Sequence, residues 1–380
     1  MAGGGIAGLE TMVALRGLVG HRVALTLVEP EDELTIRALE IFEPFGVGHP
    51  RRYPLAELAG DLDAELVRDA VAHVDRDERS IRLRSGRELR YDALVLAVGA
   101  FPYPAYENGA CFERAHDQEA FAGVLADLRE GLANHVAIVV APRTAWTLPA
   151  YELALMTAAY LHPEHVTLVT CEDEPLAAFG PPAATLVRTE LERAGVQLLT
   201  GVDADVPQHT IVQLGPGARL QCDRVVHLPL LAGPNLPGML CDEEGFILVD
   251  EAFRARDAES VFAVGDGAAG PYKQGGLAAQ QADVVADLIA RRAGSDRAPR
   301  PYRPVMRALL RTANGPRYLR AEPPGGAISA EVSDQCLWWP PSKVAARWLT
   351  PWLAARELEG RPTPAPRRLP TGGISRVVSP

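Results

Sequence analysis

The chain opens on a glycine turn, and that turn constrains the fold more than any other segment. Gly3-Gly4-Gly5-Ile6-Ala7-Gly8 places glycines at the three spaced positions of GxGxxG, and an apolar helical pattern follows through Leu9, Met12, Val13 and Leu15. A strand pattern then runs over 22–28 and ends in Glu29. The acid lies about 20 residues past the last glycine, the spacing of a dinucleotide-binding βαβ unit. Each glycine has a reason: one makes the tight turn, one lets the backbone approach a pyrophosphate, and one lets helix and strand pack closely. The helix N-terminus then offers N–H donors to phosphate, and Glu29 can accept from a ribose. Only Met1 and Ala2 precede the turn. The unit therefore lacks its first strand, and the pattern predicts an open reading frame extended upstream by about six apolar-rich residues.

Further along, 64–71 reads as a strand leading to a turn at 75–79, and 80–83 with 88–91 reads as a hairpin across Ser85-Gly86. Residues 91–100 form a buried apolar strand ending in Gly99. A second βαβ pattern follows: strands at 136–140, 166–171 and 196–200, helices at 149–161 and 183–194. Its first turn, 141–149, holds no glycine, so a phosphate could not approach the backbone in the usual way, and Trp146 fills the space instead. The first pattern resumes with strands at 246–249 and 260–264, a Gly265-Asp266-Gly267 turn, and Gly275-Gly276-Leu277 opening a helix over 278–292. The reading is two Rossmann-like α/β domains. The first is discontinuous (1–105 and 240–300), the second spans 106–239, a tryptophan-rich cap spans 301–360, and a disordered tail spans 361–380, where Pro362, Pro364, Pro366 and Pro370 cluster.

Three separated motifs agree in order: Gly3 to Gly8 with Glu29, the 91–99 strand ending Ala97-Val98-Gly99, and Ala263-Val264-Gly265-Asp266. Together, over roughly residues 1–300, they resemble the FAD-dependent pyridine nucleotide–disulfide oxidoreductase superfamily, in the three-layer ββα form of the FAD/NAD(P)-binding fold. The branch they resemble holds the type II NADH dehydrogenases and the sulfide:quinone oxidoreductases. The resemblance implies FAD cradled by Gly3, Gly5, Ile6, Ala7 and Gly8, with Glu29 on the adenosine ribose and Val71, Ala97 and Gly99 along the dinucleotide. It also implies Gly265 and Asp266 near the ribityl chain, and Gly276, Leu277 and Ala278 at the helix end facing the flavin's pyrimidine edge, where reduction places negative charge.

Departures shape the functional reading. Residues 30–60 hold no cysteine, which argues against a disulfide reductase. Pro149-Ala150-Tyr151-Glu152 resembles the corresponding stretch of the sulfide:quinone enzymes, yet no thiol stands near Trp146. Glu152 is either a proton relay at the flavin or a helix-dipole carboxylate. Gln280-Gln281 partly matches the glutamine segment of the quinone pocket, which makes Gln280 the second catalytic candidate. The expectation is an FAD oxidoreductase passing electrons from an unnamed donor to a quinone-like acceptor, with NAD(P)H use doubtful. The alternatives are an NAD(P)H-dependent FAD dehydrogenase and a non-catalytic protein that kept the scaffold.

Partners are bounded by charge. The net charge of −11 argues against nucleic acid. No apolar run reaches the roughly 18 residues of a membrane span. Five scattered cysteines without a CxxC pair remove a paired-Cys metal site and suit a reducing cytoplasm. Of the 38 basic residues only Lys273 and Lys343 are lysine. Trp338, Trp339, Trp348 and Trp352 lie in the cap, with a helix predicted to start at Pro340-Pro341-Ser342 and to kink at Pro351. That stripe, 338–356, is either a packing or dimer face or a peripheral contact with the inner face of a membrane.

Overall fold

The computed structural model describes residues 1–112, 118–162, 165–322 and 330–358. The predicted tail at 361–380 lies outside them. Seven helices are described: α1 (Ile6–Val19), α2 (Leu55–Asp61), α3 (Gln118–Arg129), α4 (Leu148–Leu161), α5 (Pro181–Arg193), α6 (Gly275–Arg292) and α7 (Leu349–Leu358).

The first sheet is joined through the opening residues. Leu25–Val28 pairs in parallel with Ala64–Val67, and Leu94–Leu96 pairs in parallel with Ala258–Ala263. Ala2 lies between the two halves, bridging Val28 on one side and Leu96 on the other. Its amide donates to Val95 O at 2.9 Å and its carbonyl accepts from Ala97 N at 2.7 Å, while Met1 O accepts from Val28 N at 2.8 Å and Gly3 N donates to Val28 O at 2.9 Å. These bonds satisfy backbone groups that the sheet centre would otherwise bury unpaired.

The predicted 64–71 strand divides. Ala64–Val67 stays in the sheet, while Val71–Asp75 turns away to form an antiparallel layer with Ser80–Leu83 and Glu88–Arg90. The predicted strand at 246–249 does not form as one. Ile247 only bridges Cys241 and Ala268, because this segment runs between two loops and meets partners one residue at a time.

The second sheet is complete and all parallel, in the order Ala110–Cys111, Arg224–His227, His135–Val140, His165–Thr170, Val196–Leu199. His135–Val140 is buried at every residue after the first, as a strand covered on both faces must be. The two sheets are joined by paired crossings, Phe101–Tyr103 against Leu230–Ala232.

The cap begins with an antiparallel sheet of Met306–Thr312, Gly315–Ala321 and Ala330–Ser333. The helix predicted from Ser342 starts seven residues later, at Leu349. Ser342 is not its cap; its hydroxyl donates to Val344 O at 2.7 Å. The helix is capped from a distance instead. The Glu10 carboxylate on α1 accepts from the amides of Arg347, Trp348 and Leu349 at 2.5–2.9 Å. Pro351 then falls in the first turn, where its missing N–H is harmless, so it starts the helix rather than kinking it. Trp348 packs so closely on α1 that a Cβ at Gly17 would lie 2.5 Å from its ring. No helix among the described residues is long and apolar enough to cross a membrane.

Candidate active site

Three turns converge at the carboxyl ends of the first sheet. Gly3 has φ +106°, and a Cβ there would sit 2.2 Å from Ala97 O. A Cβ at Gly8 would sit 1.9 Å from Gly3 O, so turn and helix touch through bare backbone. Gly5 faces open space on the same turn, as does Gly99 at φ +72°. Gly265 lies between Ala7 and Ala278, with 3.4 and 3.5 Å from its Cβ position to their methyl carbons. A Cβ at Gly275 would be 3.9 Å from Ile6 and 3.4 Å from Val344. The opening turn, the aspartate turn and the first turn of α6 thus form one wall.

The remaining predicted residues fall around it. Glu29 follows the central strand and accepts from Gly4 N at 2.5 Å and Glu31 N at 3.0 Å. Val71 begins the antiparallel layer and packs against the cluster holding Ala2 and Val28. Gly276 and Leu277 lie in the first turn of α6, which starts three residues earlier than predicted because Gly275 and Gly276 leave room for Val344 and Gln274. Gln280 uses both ends of its amide on Gly276 O, Val305 O and Val305 N, which ties α6 to the cap.

Asp266 is half-buried, and desolvation raises its pKa against the opposing pull of Lys273 and Arg37. Lys273 donates to Ala268 O and sits 3.9 Å from the Phe246 ring centroid. Neither cation was singled out as a partner from the sequence, and Lys273 was visible there only as one of two lysines. Gln281 was also missed as a positioning residue: it accepts from Gly265 N at 2.7 Å.

Glu152 is brought to the opposite side of this wall. It is 1% exposed and forms an ion pair with Lys343, itself 7% exposed, and accepts from Arg311 N at 3.1 Å. Burial raises the Glu152 pKa and lowers that of Lys343, each pushed toward its neutral form and each opposed by the other's charge. Lys343 Nζ also lies 4.9 Å from the Phe42 ring centroid, and Phe42 shares a hydrophobic cluster with Leu277 of α6. Lys343 immediately precedes Val344, the residue against Gly275.

The residues fit a flavin dinucleotide. Open backbone at Gly5 and Gly99 leaves the cradle clear. Asp266 accepts no hydrogen bond from the described residues. Gln274, at the start of α6, keeps a buried carbonyl oxygen without a partner. Such orphaned acceptors at a helix N-terminus call for a ligand with donors.

The match to known proteins is direct. Residues 2–282 match the family described as pyridine nucleotide-disulphide oxidoreductase. The chain belongs to that family. It is an FAD-dependent oxidoreductase. It is 30% identical over 293 residues to the ferredoxin–NAD(+) reductase component of the biphenyl dioxygenase system of Paraburkholderia xenovorans, covering 72% of this chain and 68% of that one. It is 27% identical over 165 residues to a sulfide-quinone reductase of Aquifex aeolicus, covering 40% of this chain and 37% of the relative. The solved sulfide:quinone oxidoreductase of Aquifex aeolicus superposes with TM-score 0.78 at 20% identity, over 88% of this chain and 86% of that one.

The second crevice contrasts with the first. Trp146 packs edge-on against Phe179 with ring centroids 5.9 Å apart. Glu172 ends His165–Thr170 as Glu29 ends its own strand, but it turns inward and accepts from Tyr151 OH at 2.7 Å. No disulfide joins any of the five cysteines among the described residues.

Proposed function

We propose that this oxidoreductase passes electrons to a quinone-like acceptor and draws them from a donor other than NAD(P)H. The observation that carries this reading is the buried Glu152–Lys343 pair. Bound FAD supplies two-electron redox chemistry at the α6 end of the cleft. The chain's own residues supply the rest. Gly3, Gly5 and Gly8 would hold the pyrophosphate at the α1 amides, Glu29 would take the ribose, and Asp266 the ribityl side. The amides of Gly275, Gly276 and Leu277 would offer donors to negative charge on the reduced ring. Reducing a quinone consumes protons as well as electrons. A carboxyl and an amine that burial has drawn toward their neutral forms can hold such a proton at Glu152 Oε2 or Lys343 Nζ and release it. A protein acceptor of single electrons has no such need.

The second domain supports the same reading. Trp146 occupies the turn where a dinucleotide phosphate would lie, and Tyr151 occupies the acid that would take its ribose. A quinone acceptor implies contact with a bilayer surface. Trp348 is committed to packing on α1, and Trp338 lies edge-on to Tyr318. This leaves Trp339, 87% exposed, as the ring of 338–352 that stands clear.

The second reading, an NAD(P)H-dependent FAD dehydrogenase, is favoured by the Paraburkholderia relative. Anaerobic stopped-flow mixing of the FAD-loaded chain separates the two, read in the flavin band at about 450 nm. NADH is expected to leave the band intact, sulfide or another small reductant to bleach it, and a water-soluble quinone to restore it. Rapid bleaching by NADH overturns the proposal.

A further inference from the structure

A cavity of about 340 Å³ is lined by Gln280, Asp283, Arg307, Trp338, Trp339 and Arg347 among others. That volume falls in the range of small-molecule sites. Asp283 lies roughly 12 Å along α6 from Gly275, at about 1.5 Å rise per residue, so the carboxyl lining the cavity lies some two helical turns beyond the helix end at the cofactor cleft.

Two of its polar side chains keep buried atoms without protein partners. Arg307 makes no ion pair among the described residues, and its Nε is buried without a hydrogen bond. Burial and the nearby Arg320 disfavour its charge, and Arg320 has its own carboxylate in Glu322 at 2.7 Å. Arg347 lies 5.4 Å from the Trp348 ring and likewise forms no ion pair among the described residues. Asp283 is 9% exposed, and its Oδ1 is buried without a partner. Around Asp283 stand Glu10, Asp287 and Arg300, and Arg300 is engaged by Asp287 at 2.7 Å. Buried polar atoms in a folded protein are nearly always satisfied. Arg307 is part-buried without a carboxylate partner, Arg347 is exposed at the rim, and the Asp283 carboxyl, which Glu10 and Trp348 already approach, keeps Oδ1 unbonded; together they fit an anion that also carries a donor. The walls add a flat apolar requirement. Trp338 is held by its Nε1–H to Ser342 O at 3.0 Å and by the Tyr318 ring at 5.1 Å, and the Trp339 ring stands mostly in water beside it.

We propose that this cavity binds a small aromatic carboxylic acid bearing a hydroxyl or amine. Its carboxylate lies against Arg307 and Arg347, its ring lies against Trp338 and Trp339, and its donor reaches Asp283. Inorganic phosphate does not satisfy the site, because it leaves the tryptophan faces uncovered and sets two negative charges near Asp283. The bound acid braces the 345–347 backbone, two residues from Lys343.

The test uses the FAD-loaded full chain, titrated with 4-hydroxybenzoate and read by equilibrium dialysis and tryptophan fluorescence. Saturable binding is expected, with the flavin absorbance unchanged. Arg307→Gln should weaken binding at least about tenfold, since it removes a charge-assisted contact. Trp339→Ala, at an exposed position that folding does not need, should weaken it several-fold. Benzoate should bind more weakly than 4-hydroxybenzoate, and phosphate should not compete. Absence of saturable binding, equal affinity in R307Q, competition by phosphate at equal concentration, or a perturbed flavin band would each overturn the assignment.

Discussion

The chain builds the same βαβ crevice twice and keeps a glycine turn in only one of them. In the first, three bare-backbone turns meet, and Gly5 and Gly99 face open space. In the second, the strand is longer and better formed, but its turn is furnished with side chains. Arg143 takes a left-handed φ of +67° and reaches Glu244 at 3.1 Å, Trp146 packs edge-on against Phe179, and Tyr151 closes on Glu172. The lesson is that a Rossmann sheet is a scaffold, while receptivity depends on what the turn leaves out. The more regular sheet is the one read here as having lost its nucleotide.

The comparison breaks most sharply at Gly8. A valine there would drive its Cβ to 1.9 Å from Gly3 O, a backbone atom that cannot rotate away. Gly8→Val is expected to abolish FAD retention, read as loss of the ratio of absorbance at about 450 nm to that at about 280 nm after reconstitution. Trp146→Gly in the second turn is expected to leave that ratio unchanged. A yellow, stoichiometric G8V protein would mean that the cofactor lies elsewhere.

Next in size is the pair joining the second domain to the cap. Lys343→Met leaves Glu152 buried and alone, which should cost about 3–5 kcal/mol by urea unfolding. Adding Glu152→Leu should recover most of it, because an apolar pair in the same volume has no charge to desolvate. Quinone-dependent reoxidation should fall about 10²–10⁴-fold in Glu152→Gln. Normal reoxidation in that variant would remove the pair from the chemistry.

A smaller effect is a pH dependence in the first domain. Burial raises Glu10 to about 8, with repulsion from Asp283 adding to it, and raises Asp283 to about 6, with repulsion from Asp287 adding to it. Groups raised in the folded state hold protons more tightly there, so their stability contribution is present at low pH. It is lost as pH rises through about 6 and then about 8. The melting temperature should fall as pH rises toward about 8. Glu10→Gln should flatten the profile; an unchanged slope would refute the linkage. The smallest effect belongs to Arg143→Gly. It loses an exposed ion pair but relaxes a left-handed backbone, so stability should stay within about 1 kcal/mol of the parent.

Much of the scaffold was legible because its signals are local. The helix after Gly8, the strand at 136–140 and the Gly265-Asp266 turn each show themselves within a dozen residues of chain. The cap misled for the opposite reason. Ser342 looked like an N-cap beside two prolines, yet the amides of α7 are capped by Glu10, some 340 residues earlier in sequence. Glu152 could be named as a candidate, but its partner is 191 residues away. Only the scarcity of lysine hinted that Lys343 was placed for a purpose.

The sequence by itself determined the two βαβ units, the glycine cradle and the loss of glycine from the second turn. Those features rest on backbone sterics and on periodicities of two and 3.6 residues, which a chain carries wherever it folds. Only the tertiary structure decided that Ala2 would bridge Val28 and Leu96, that Tyr151 would occupy Glu172, and that Lys343 would meet Glu152 beside α6. Those are outcomes of burial. A charge or an unpaired amide removed from water must take whichever partner the packing brings within reach, and distance along the chain has no bearing on which one that is.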